Sequence, residues 1–99
     1  MLTIHKTVDG KMTQLNAVEE GCWVNLVYPS EDELKTVAAT LNVEPTFLRA
    51  ALDEEETSRI DSEEGQTLII VDTPAMEKDD TGVVYSTLPM GIIVTDKHI

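Results

Sequence analysis

Between Asp53 and Glu64, seven of twelve side chains are carboxylates: Asp53, Glu54, Glu55, Glu56, Asp61, Glu63 and Glu64. Carboxylate oxygens are hard ligands, which suits a divalent cation. Mg²⁺ keeps much of its water, so one or two carboxylates suffice to hold it, and such a site imposes no strict spacing. The same stretch also reads as a solvated surface whose like charges repel. The sequence leaves both readings open.

Other chemistry finds no footing. His5 and His98 stand alone, without the clustered nitrogen and sulfur ligands of a zinc site. A nucleophile needs an activating base and an orienting group. Cys22 lies in an apolar run beside Trp23 and reads as a small core residue, while Ser30 is engaged in capping a helix. Glycines are scattered singly, so no phosphate-cradling loop exists. The alternating acids of a calcium loop are absent, and Asp79-Asp80-Thr81-Gly82 reads as a turn. The chain is therefore read as a non-enzyme.

The elements that must position the acids can be traced along the chain. Leu2–Thr7 alternates apolar and polar residues as a strand does, Asp9-Gly10 is a two-residue turn signal, and Lys11–Leu15 returns. Cys22–Val27 forms another strand. Ser30 and Glu33 make a capping box, after which Leu34, Val37, Ala38 and Leu41 repeat at helical spacing and Asn42 closes the helix. Pro45 opens a second helix with Phe47, Leu48, Ala51 and Leu52 inward and Arg49 outward. If that helix continues, Arg49–Asp53 and Glu55–Arg59 become pairs one turn apart. Arg59–Ser62 and Gln66–Thr73 read as strands, with Pro74 ending the latter and Glu77–Gly82 a loop. Leu68-Ile69-Ile70-Val71 is apolar on both faces, which marks a central strand covered on both sides. Val83–Thr87 and Leu88–Thr95 complete the pattern. The expected fold is α+β, of α/β type: one mixed sheet of about five to six strands with two or more helices packed on it, all in a single domain over residues 1–99.

Composition narrows the partners. Nineteen acidic against seven basic side chains give a net charge of −12. Such a surface repels phosphate backbones and anionic lipid, so nucleic acid is excluded and cations or basic proteins are favoured. No apolar run approaches the ~18–20 residues of a spanning helix. The start lacks the apolar stretch of a signal peptide. The expectation is a soluble chain that begins in the cytosol.

Gly21-Cys22-Trp23-Val24-Asn25-Leu26, followed by Pro29-Ser30-Glu31-Asp32-Glu33-Leu34, resembles a recurring segment near the start of CorA-type magnesium transporters. There a G-x-W-[IV]-[ND]-L strand leads into an acid-rich helix. The run Phe47–Ile60 is similar to that family's passage from a short helix into a strand. Gln66–Val71 and Leu88–Val94 are similar to the two strands that follow. The four blocks keep the family's order across nearly the whole chain, while its Gly-Met-Asn signature lies beyond the sequence given. The resemblance implies the cytosolic regulatory domain of a homopentameric, channel-like Mg²⁺ transporter, a family whose members also pass Co²⁺ or Ni²⁺. Its partners would be the other subunits and divalent cations. It would meet the membrane only through C-terminal segments absent here, and would lie on the cytosolic face of the cell membrane. It would sense Mg²⁺, weakly and in the assembled protein, through acids near subunit interfaces. Asp53, Glu54, Glu55 and Glu56 are the acids nearest that region and are taken as the candidate metal ligands.

The chain ends at Thr95-Asp96-Lys97-His98-Ile99, directly after the apolar run Ile92-Ile93-Val94 and without a capping element, which predicts a piece of a longer polypeptide. The competing reading is a free-standing acidic module that docks a basic protein.

Overall fold

The computed structural model describes all 99 residues. Ile4 is buried at the centre of β1 (Leu2–Val8), as the apolar-polar alternation requires. Asp9 and Gly10 both take positive φ, 52° and 78°, which a type I′ turn needs at its two central positions. The chain returns as β2 (Lys11–Leu15), with Val8 opposite Lys11. Strand β3 (Trp23–Leu26) pairs antiparallel with the other edge of β1, giving the order β2-β1-β3.

Helix α1 (Glu31–Leu41) opens with both bonds of the capping box. The Glu33 N–H donates to Ser30 Oγ at 3.1 Å, and the Ser30 N–H donates to Glu33 Oε1 at 2.9 Å. Asn42 closes the helix at φ 54°. Helix α2 (Pro45–Ala51) begins at its proline and buries Phe47 and Leu48. Leu52, expected on the inner face, is 47% exposed because the helix stops one residue earlier.

Strands β4 (Arg59–Glu63), β5 (Gln66–Asp79) and β6 (Gly82–Val94) form a second antiparallel sheet in the order β4-β5-β6. The strand and helix order agrees with the sequence reading, and the α+β class holds. The single mixed sheet does not: six strands form two three-stranded antiparallel sheets. Tight turns join β1 to β2, β4 to β5 and β5 to β6, and such links give antiparallel pairs; β3 then returns antiparallel along the other edge of β1. The helices carry the chain from β3 to β4 without placing those strands side by side. Parallel alignment occurs only near the chain end, beside β3. There the Val24 N–H donates to the Ile99 carbonyl at 2.8 Å, and the Ile99 N–H to the Cys22 carbonyl at 3.2 Å.

Pro74 does not end its strand, and Glu77–Gly82 is not an open loop: β5 runs on to Asp79 and turns back through Asp80-Thr81. Alternate pairs of an antiparallel ladder exchange no hydrogen bonds. Pro74↔Thr87 and Asp72↔Pro89 are two residues apart on each strand, so one register places both prolines where no N–H is required. Beyond Ile70, β4 offers no partner on the other side either.

The core has two parts. Leu34, Val37, Val43 and Leu48 join α1 and α2 to the first sheet through Leu2, Val24 and Leu26. Phe47 joins α2 to Leu68 and Ile70 of the second, and Ile93 touches both clusters. Gly91 lies under α2, where an added methyl would collide with Ala51. The Gln66 side chain fixes the turn between the helices, accepting from the Glu44 N–H at 2.7 Å and donating to the Asn42 carbonyl at 2.8 Å.

Candidate cation-binding segment

The four candidate acids follow the end of α2. After Ala51 the chain leaves the helix through two backbone bonds, Asp53 N–H to the Ala50 carbonyl at 3.2 Å and Glu56 N–H to the Asp53 carbonyl at 3.0 Å. The Asp53 carboxylate accepts from the Glu55 N–H at 2.9 Å, so Asp53 shapes the turn it stands in. Because the helix ends here, the expected Arg49–Asp53 and Glu55–Arg59 pairs do not form. Arg49 reaches back to Glu31 at 3.0 Å, and Arg59 pairs with Glu56 at 3.0 Å and with Asp61 at 2.9 Å.

These pairings divide the acidic stretch. Hydrogen bonds to Glu56 and Asp61 raise the pKa of Arg59 and hold both acids beside the start of β4. Glu54 and Glu55 enter no ion pair and are exposed. Nowhere do three or more His, Cys, Asp or Glu side chains come together as a metal site. Asp53, Glu54, Glu55 and Glu56 are thus brought to one exposed turn, but the chain does not gather them around a point. His5 instead bonds Thr3 Oγ1 at 3.0 Å, with its ring 5.6 Å from that of Trp23.

Five of the nineteen carboxylates are paired: Glu19, Glu31, Glu33, Glu56 and Asp61. The others leave a strongly negative surface that raises the local cation concentration. Two of the paired acids, Glu31 and Glu33, have pKa values below the ordinary carboxylate value. The hydrogen bond from Arg49 lowers the pKa of Glu31, and the Ser30 N–H lowers that of Glu33. Sequence spacing could not reveal the Glu31–Arg49 pair, which joins residues on two helices. Nor could it show that Arg59 takes Glu56 rather than Glu55, since that depends on where α2 stops.

No family profile and no curated protein sequence matches the chain. Two solved structures do. The complete structure of CorA magnesium transporter from Methanocaldococcus jannaschii superposes with a TM-score of 0.81 at 22% identity, over 99% of this chain and 30% of that one. The soluble domain of CorA from the same organism gives 0.79 at 21% identity, over 99% of this chain and 38% of that one. The chain spans less than two-fifths of either relative. No helix is long and apolar enough to cross a membrane. Along nearly its whole length, this chain has the fold of a part of the CorA magnesium transporter that lies within that protein's soluble domain.

Proposed function

We propose that the chain is the cytosolic, Mg²⁺-sensing regulatory part of a homopentameric CorA-type magnesium transporter. The observation that carries this reading is the end-to-end structural likeness to the CorA soluble domain. It joins four sequence blocks that occur in that family's order and a net charge of −12. The likeness covers both sheets and both helices.

The candidate ligands fit Mg²⁺ as half of a site. Glu54 and Glu55 are free of ion pairs, Asp53 is partly used by its own turn, and Glu56 is held by Arg59. One or two carboxylates from this turn, with water, meet what Mg²⁺ requires. A second subunit supplies the rest. Each cation bridging two acidic surfaces offsets their repulsion and favours the packed assembly over the loosened one, so abundant Mg²⁺ closes the pore.

The test is limited proteolysis of the membrane-assembled protein. Millimolar Mg²⁺ is expected to slow cleavage. Replacing Asp53, Glu54, Glu55 and Glu56 with Asn, Gln, Gln and Gln is expected to weaken that protection. Undiminished protection in the variant would remove these residues as ligands.

A further inference from the structure

One exposed strand edge in this fold lacks the features that keep edges apart. Beyond Ile70 and its partner Gly91, β5 and β6 leave β4 behind and continue as a ribbon to the turn at Asp80-Thr81. The pair flanking a two-residue turn exchanges hydrogen bonds, so Asp79↔Gly82 is bonded and alternate pairs behind it are not. Lys78↔Val83 and Met76↔Tyr85 therefore belong to the same class as Pro74↔Thr87 and Asp72↔Pro89. Backbone groups of that class point out of the ribbon. Asp72, Pro74, Met76 and Lys78 line one edge, and Val83, Tyr85, Thr87 and Pro89 the other.

Charge, proline or shortness normally blunts such edges. Strands β2 and β4 are short, with Lys11 on one and Arg59, Asp61 and Glu63 on the other. The chain end bonds along β3 through Ile99. The ribbon edge of β5 holds Pro74 between Asp72 and Lys78. Pro89 cuts the edge of β6, leaving only the half-buried Gly91 and Ile93 toward the body. On its other side Val83–Thr87 is exposed throughout and has neither charge nor proline. Its valines, tyrosine and threonine are strong strand formers. Val83 is 43% and Tyr85 75% exposed, and no backbone bond outside the ladder reaches Gly82–Val94.

This run is complementary to itself. A two-fold axis at Tyr85 sets antiparallel β6 strands with Val83 opposite Thr87 and Tyr85 opposite its own copy. All of these are outward-facing positions, and each pair exchanges both backbone bonds. Pro89 then falls opposite Thr81 in the turn, just past the ladder. Sliding the strands further together sets Pro89 against Val83 or Tyr85, and sliding them apart shortens the ladder. Each copy carries a net charge of −12 and repels the other. The steps from Thr81 to Pro89 hold the two bodies about 27 Å apart along the strands, against a Debye length of about 8 Å at physiological salt. So short an edge buries far less than the ~1,200 Å² of a stable interface, which makes the pairing weak and concentration-dependent.

We propose that Val83–Thr87 pairs with the same edge of a second copy, joining two ribbons into one antiparallel sheet. The pairing does not depend on the function proposed above. A five-fold ring has no two-fold axis, so among pentamers it links separate rings.

Cys22 is 2% exposed, so introduced thiols can be read over a low background. Tyr85→Cys places two thiols on paired residues about 5.5 Å apart between Cα atoms, within disulfide reach. Val83→Cys or Thr87→Cys alone lies about 14 Å along the strand from its own copy, but the two variants face each other when mixed. Oxidation is expected to cross-link Tyr85→Cys, and the mixture, at least about tenfold faster than either Val83→Cys or Thr87→Cys alone. Sedimentation equilibrium should show a dimer that strengthens as salt screens the repulsion. Tyr85→Phe should keep it. Tyr85→Pro removes an outward N–H and spares the ladder with β5, as Pro89 does, and should weaken the dimer by at least about tenfold. Equal cross-linking at all three positions, or a dimer that Tyr85→Pro leaves intact in a folded chain, would overturn the inference. A chain monomeric at millimolar concentration in high salt would overturn it too.

Discussion

Gly91→Ala tests the packing that holds the second sheet to the helices. The added Cβ would lie within 3.0 Å of the Ala51 methyl and 3.2 Å from the Ala51 Cα. Comfortable carbon contacts are about 3.5–4.0 Å, so α2 must retreat by roughly 1 Å. The obstacle includes backbone and cannot swing aside. Overpacking of this kind costs about 1–3 kcal/mol. At an open strand position the same change gains roughly 0.5–1 kcal/mol, because glycine loses the most freedom on folding. The two accounts therefore differ in sign. With a urea slope of about 1.5 kcal/mol/M, a loss of about 2 kcal/mol lowers the unfolding midpoint by roughly 1.3 M. Circular dichroism during urea titration reads the shift. Ala51→Gly in the same background returns the space at a helix-propensity cost of about 1 kcal/mol, so the double variant should lose less than the two single losses added. An unchanged or higher midpoint for Gly91→Ala would refute the close approach of α2 to β6.

Two further outcomes follow from the helices. Gln66→Ala strips the Asn42 carbonyl and the Glu44 N–H of their partner, and thermal unfolding should show a loss of about 1–2 kcal/mol. Gln66→Glu keeps the acceptor but not the donor and should fall between. The pKa of Glu33 is held below its ordinary 4.5, first by the Ser30 N–H, so its contribution to stability is complete above that value and disappears as pH falls through the lower folded one. The stability difference between the natural chain and Glu33→Gln should accordingly shrink in acid; a difference constant down to pH about 2 would contradict the capping geometry.

Local signals carried most of the secondary structure. Ser30-x-x-Glu33 and Asn42 bound α1, Pro45 opens α2, and Asp9-Gly10 makes its turn, because each depends on chemistry within a few residues. What the sequence hid was non-local. Pro74 looked like a strand end because its tolerance rests on the register with β6 and on the shortness of β4. The division into two sheets depends on how the helices direct the chain between β3 and β4. At the candidate site, the acidic turn was legible from composition. Its internal pairings were not, since they follow from α2 ending at Ala51, which leaves Arg49 to Glu31 and Arg59 to Glu56 and Asp61.

The central claim is that these residues are the cytosolic part of a transporter, and the size and location of the native gene product test it most directly. An immunoblot of fractionated cells, with an antibody raised to this chain, should show a membrane-fraction band about three times its 10.9 kDa, since the chain covers 30% of CorA. A soluble band near 10.9 kDa would contradict the claim and favour a free-standing acidic module.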